Sequence, residues 1–133
     1  MSDILKSLEV ADTGTLEVMD NTGMQPLVVN GVPVTIEGFG PGSEQYAKAQ
    51  AMIDSAAQAR TFAALRGKAS KDNGAEARNL QARKLAMCTH RINGLGEINP
   101  LDVYTNPKLG YITNQFAKYI EDWGNFSPVS SKS

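Results

Sequence analysis

Three observations place this 133-residue chain in the α+β class, mainly helical with a small N-terminal antiparallel β-hairpin or meander. Leu109, Ile112, Phe116, Tyr119, Ile120 and Trp123 recur at helical spacing within residues 106–126, an apolar stripe on one face. Tyr46, Ala49, Met52, Ile53, Ala56, Ala59, Phe62 and Leu65 repeat that periodicity over residues 43–66. Residues 14–38 alternate instead with a period of two, and Asn30-Gly31 between β-branched runs is the strongest short-range hairpin signal. The expected organisation is one domain, with an arm at 1–13, the hairpin at 14–38, a helical part at 43–126 and a disordered, serine-rich tail at 127–133.

Each element has a local cause. The arm has only Ile4, Leu5, Leu8 and Val10 as apolar anchors, enough for a helical turn or a loose extension. Thr15 to Met19 alternates as a half-buried strand does, and Asp20-Asn21-Thr22-Gly23 is a turn signal. Leu27-Val28-Val29 and Val32 to Glu37 follow on either side of Asn30-Gly31, with Pro33 confining its strand to an edge or a start. Gly38-Phe39-Gly40-Pro41-Gly42 breaks the pattern and reads as a hinge, since no Gly-Lys-Ser/Thr follows to make a phosphate loop.

Ser43 is an N-cap with Glu44 in the first turn, and the helix it opens runs to about Arg66, roughly 36 Å at 1.5 Å per residue. Its largely alanine face admits close neighbours and predicts weak head-to-tail self-association. Residues 67–74 form a polar connector, and a second helix is expected from Ala75 to about Arg91, ended by Asn93-Gly94-Leu95-Gly96. Asn99-Pro100 opens a short helical turn. Asn106-Pro107 opens the last helix, with Phe116 in the core, Trp123 partly exposed and Gly124 as C-cap.

Net charge is −1, which favours neither nucleic acid nor an anionic membrane in bulk. The charge is segregated, however. Residues 1–65 carry three basic and eight acidic side chains, whereas residues 66–91 carry Arg66, Lys68, Lys71, Arg78, Arg83, Lys84 and Arg91 against Asp72 and Glu76. A basic connector and helix of this kind is either a solvated face or a docking surface for an acidic partner or a nucleic acid. One cysteine precludes an internal disulfide framework and fits a reducing compartment, and no apolar run nears the ~20 residues that span a bilayer. With no signal-peptide core either, a cytoplasmic protein is expected.

The residue types needed for catalysis are sparse. The single histidine, His90, rules out a paired-histidine metal site, and Cys88, two residues away on the expected helix, points to a different face. Glu121 and Asp122 are adjacent and diverge. The chain reads as a non-enzyme, with no catalytic, metal or cofactor-binding residues.

One family resemblance covers residues 15–126. A β-hairpin ending in an apolar strand leads through Gly42-Ser43-Glu44-x-Tyr46 into a long helix, a charged connector and a second helix, and the chain closes on Asp122-x-x-Asn125-Phe126. This resembles the tail assembly chaperones of long-tailed bacteriophages and prophages. It departs from them at His90-Arg91-Ile92, where members often carry a tryptophan. The resemblance implies a protein that binds the tape measure protein in the host cytoplasm, keeps it soluble and recruits major tail tube subunits. It also implies absence from the mature virion. Arg66, Lys68, Lys71, Arg78, Arg83, Lys84, Arg91 and Trp123 are the partner-binding candidates. The rival reading is a small nucleic-acid-binding regulator using residues 66–91, against which the neutral total charge stands.

Overall fold

A three-stranded antiparallel sheet, in the spatial order β1-β4-β5, organises the fold. The computed structural model describes residues 2–67 and 73–126. In chain order these form α1 (Ser2–Leu8), β1 (Thr13–Glu17), β2 (Val28–Val29), β3 (Val32–Pro33), β4 (Thr35–Phe39), α2 (Glu44–Leu65), α3 (Asn73–Met87), β5 (Thr89–Asn93), α4 (Pro100–Tyr104) and α5 (Gly110–Glu121). The architecture is α+β and mainly helical, as its periodicities predict. Lys68, Lys71 and the serine-rich tail lie outside the described residues.

Strand β4 is the hinge-pin of the packing. Val34, Ile36, Gly38 and Gly40 are buried while Thr35, Glu37 and Phe39 are half-buried, the period of two that a sheet with one covered face imposes. It pairs with β1 in the register Leu16↔Ile36 and with β5 through Ile36↔Ile92 and Glu37↔Arg91, with a bulge at Glu37/Gly38. Helix α5 covers the buried face with Ile112, Phe116 and Ile120, all 3% exposed or less. Each such side chain contributes about 1.5–3 kcal/mol on burial. The Phe116 ring stacks on Tyr104 at a centroid distance of 5.6 Å, and the Tyr104 hydroxyl bonds Thr89 Oγ1 at 2.7 Å. From the polar side of α5, the Gln115 amide grips both the N–H (2.8 Å) and the carbonyl (2.9 Å) of Met19.

Several local expectations are met. Ser43 caps α2 by accepting from the Tyr46 N–H at 3.1 Å, and Asn99 caps α4 by accepting from the Leu101 N–H at 3.1 Å. Asn30 and Gly31 take φ of 52° and 79°, the left-handed pair a tight hairpin needs.

Four expectations are corrected. The Asn30-Gly31 hairpin is only two residue pairs deep: past Pro33 the Val34 N–H still bonds the Leu27 carbonyl at 2.9 Å, but the Leu27 N–H and the Val34 carbonyl both turn to Val18, and the chain runs on into β4, whose main partner is β1. The second helix stops at Met87 rather than Arg91. There the Cys88 carbonyl accepts the Phe39 N–H at 2.7 Å, and Thr89–Asn93 completes the sheet. The glycines of residues 38–42 are not a hinge. A Cβ at Gly38 would meet Phe116 at 2.5 Å and one at Gly40 would meet Phe126 at 2.6 Å, so the missing side chains are what let two aromatic rings lie on the backbone. Finally, α5 begins at Gly110 after a 3-10 turn at Pro107–Leu109, and its C-cap is Asp122 in an extended conformation (φ −98°), not Gly124.

Candidate partner-docking site

Helix α3 carries three of the seven basic candidates, Arg78, Arg83 and Lys84, and its geometry separates them. Ala82, Lys84, Leu85 and Cys88 are buried, while Arg78 and Arg83 are exposed. Lys84 belongs to the interior. Its Nζ donates to Glu121 Oε2 at 3.0 Å and to Gln50 Oε1 at 3.2 Å, and lies 4.9 Å from the centre of the Tyr46 ring. The Tyr46 hydroxyl donates to Glu121 Oε1 at 2.6 Å. This four-residue network ties α2, α3 and α5 together. Burial pulls the Lys84 ammonium down, but the hydrogen bond and charge of Glu121 outweigh it and leave it above its ordinary value. Burial likewise raises the Glu121 carboxyl, and the hydrogen bonds from Tyr46 and Lys84 overcome that and hold it below the ordinary range. Lys84 is therefore a structural residue, not part of a solvent-facing docking surface.

The remaining basic candidates do not converge. Arg78 and Arg83 are five residues apart, about 140° around the helix. Arg91 lies on β5 opposite Glu37, and Arg66 sits exposed at the C-cap of α2. Trp123, in a 3-10 turn after α5, is 57% exposed, with one indole edge against Gly42.

What the structure does assemble is a groove of about 720 Å³ between α3 and the α4–α5 junction. Its lining includes small and flat groups, Ala75, Ala77, Ala82, Tyr104, Pro107 and Gly110, of which Ala82 and Tyr104 are buried. The same lining carries Arg78, Asn79, Gln81, Asn106, Thr113 and Asn114, amides and a hydroxyl with one cation. Small residues in a groove lining allow a helix backbone to approach closely, and the polar groups can bond side chains flanking an apolar ridge. Only Arg78 of this set was a sequence candidate. The groove residues were missed because α3 and α4–α5 meet only in three dimensions, although Asn106-Pro107, which sets the junction, is visible in the sequence.

The groups with chemical potential are placed for packing. Cys88 is fully buried, and burial pushes its thiol up to about 11, leaving little thiolate at neutral pH. His90 lies on the sheet with its ring edge-on to Phe39 at 5.4 Å. Among the described residues no helix is long and apolar enough to cross a membrane. No family model, curated protein or solved structure matches the chain.

Proposed function

We propose that the protein is a non-enzymatic tail assembly chaperone of a long-tailed bacteriophage or prophage. In this reading it binds the tape measure protein in the host cytoplasm, keeps that protein's apolar helical segments in solution and recruits tail tube subunits, and it is absent from the finished virion. The observation that carries the reading is the groove between α3 and the α4–α5 junction, whose lining of alanine, glycine and proline beside amides and hydroxyls suits an amphipathic helix. Arg78 in that lining would meet an acidic side chain of that helix. The order of elements over residues 15–126 supports the same assignment. A nucleic-acid surface has less support, because Lys84 is buried and Arg78, Arg83 and Arg91 diverge.

The test is co-expression with the tape measure protein of the same genome. Gly110→Phe adds a ring at the groove wall, where a Cβ meets nothing within 4 Å and φ is −57°. The expected result is soluble, co-purifying tape measure protein with wild type, and an aggregated one with Gly110→Phe or Arg78→Glu at unchanged chaperone fold. Equal solubilisation by all three would overturn the docking assignment, and steeply salt-dependent binding to DNA would favour the regulator instead.

A further inference from the structure

The sequence contains three Asn-Gly dipeptides, at residues 30–31, 73–74 and 93–94. In such a pair the glycine has no Cβ to shield its amide nitrogen, so that nitrogen can reach the asparagine side chain. The structure holds the first and the last of them in opposite ways. Asn30 and Gly31 form the turn between β2 and β3, both exposed, with φ of 52° and 79°. A Cβ at Gly31 would meet nothing within 4 Å, and among the described residues neither the Asn30 amide nor the Gly31 N–H has a hydrogen-bond partner. The hairpin they close is two residue pairs deep, so the turn opens by local fraying and not by unfolding of the domain. Asn93 instead ends β5 opposite Thr35, and its amide nitrogen donates to Thr35 Oγ1 and Glu37 Oε2, each at 3.0 Å. A Cβ at Gly94 would stand 2.7 Å from the Pro33 carbonyl oxygen, so Gly94 is wedged against the chain that enters β4. Turning Asn93 toward the Gly94 nitrogen breaks both hydrogen bonds and the end of the strand.

We propose that Asn30-Gly31 is a self-modifying site, which converts to aspartate and isoaspartate with water as the only co-reactant. The Gly31 nitrogen bonds Asn30 Cγ and gives up its proton. The Cγ–Nδ2 bond breaks, and the side-chain nitrogen leaves as ammonia with that proton, so a cyclic succinimide remains. Water then opens the ring at either carbonyl, its hydroxyl going to the carbon and its proton to the Gly31 nitrogen. Opening at Cγ gives aspartate. Opening at the Asn30 backbone carbonyl gives isoaspartate, in which the chain runs through the former side chain and is longer by a methylene. Residues 21–36 contain no charged side chain, and Met24, Val28 and Val32 among them are 83%, 51% and 49% exposed. The reaction therefore sets a carboxylate in the middle of an uncharged, apolar hairpin, and the isoaspartate form stretches a tight turn whose register depends on its length. The hairpin does not line the groove, so the modification stands apart from the tape measure reading.

Peptide mapping of the full chain tests this. Cleavage after lysine and arginine puts Asn30, Asn73 and Asn93 in separate fragments, 7–48, 72–78 and 92–108. The protein is aged at about pH 8 in water enriched in heavy oxygen, both natively and in denaturing guanidinium chloride. In the native sample fragment 7–48 should gain the mass of replacing an NH by a solvent oxygen, placed at Asn30 by fragmentation. Asn93 should convert more than about tenfold more slowly, because it reacts only when the sheet opens. In denaturant the two rates should come together. Asn30→Gly keeps a turn whose two positions both accept positive φ, and it should remove the change from fragment 7–48. An Asn30 that converts in denaturant but not in the native protein overturns the inference, because the folded turn then shields it. An Asn93 that converts natively as fast as Asn30 overturns it as well.

Discussion

Gly38 on β4 lies directly beneath the ring of Phe116 on α5, so close that a Cβ at Gly38 would stand 2.5 Å from Cε1 and 2.8 Å from Cζ. The ring has no room to withdraw. It is fully buried, it stacks on Tyr104, and Ile120 Cγ2 stands 3.2 Å from the same Cβ position. Gly38→Ala should therefore destabilise by about 1–3 kcal/mol through overpacking. Phe116→Ala should cost about 3–5 kcal/mol by leaving a cavity. In the double variant the two should be less than additive, because the truncated ring vacates the space the new methyl needs. Thermal melts of the cycle measure this, and a Gly38→Ala protein melting within a degree of wild type would sink the assignment.

The chain closes on two aromatics that should respond in opposite ways. Phe126 is 1% exposed, lies against Gly40 and Gly14, and meets the Tyr119 ring at 5.5 Å. Trp123, three residues earlier, is more than half exposed. Phe126→Ala should lose about 3–5 kcal/mol, and Trp123→Ala no more than about 1 kcal/mol. Chemical denaturation of the two variants beside wild type checks the order, and a larger loss at Trp123 would contradict it.

How much of this was legible differs from element to element, for physical reasons. Helix α2 and its Ser43 cap, α4 with Asn99-Pro100 and the core positions Ile112, Phe116 and Ile120 follow from local rules of capping and periodicity, and each is found where those rules put it. Strand β5 was hidden because Cys88 to Asn93 continues a helical run without a breaker; only the unpaired edge of β4, a tertiary fact, makes it a strand. Gly38 and Gly40 looked like punctuation because the rings they accommodate come from 70 or more residues away. The charge run 66–91 was visible, but its division into exposed Arg78 and Arg83 and buried Lys84 depends on which face of α3 meets α2 and α5.

Gln115 shows the same limit at one residue. By periodicity it falls off the apolar stripe, yet its amide satisfies both backbone groups of Met19. Gln115→Ala should cost about 1–2 kcal/mol, reduced from the fully buried case by partial solvent access. Asn114→Ala, at the exposed neighbouring position, should stay within about 0.5 kcal/mol. Equal melting temperatures for the two variants would show that the Met19 clamp contributes nothing.

Cys88 should be slow to modify in the folded protein. With the thiol raised from 9.0 to about 11, its thiolate fraction at pH 8 falls about 100-fold, and burial blocks access besides. Labelling by a thiol-reactive disulfide should proceed only through unfolding and accelerate sharply in denaturant. Stoichiometric labelling within seconds under native conditions would place Cys88 at the surface.

The Lys84 network makes the last prediction, because it distinguishes a structural cation from a docking one. Arg78→Glu and Arg83→Glu change exposed charges and should alter stability by no more than about 1 kcal/mol. Lys84→Glu puts a second carboxylate against Glu121 in a buried position and should cost about 3–5 kcal/mol. Lys84→Met keeps the buried stem and leaves the half-exposed Glu121 to water, so its loss should be smaller, about 0–1.5 kcal/mol. The pH dependence follows from the direction of each shift. Glu121 is held below its ordinary 4.5, so its contribution is present above that value and is lost as pH falls through the lower folded value. Lys84 and Tyr46 are raised above 10.5 and 10.0, so theirs is present below those values and is lost as pH rises through the higher folded ones. The melting-temperature gap between wild type and Lys84→Met should thus be widest between about pH 5 and 9.5 and narrow at both extremes. A gap that stays constant from pH 3 to 11 would mean that the ion pair and its hydrogen bonds do not stabilise the fold, and that Lys84 acts only through its hydrocarbon stem.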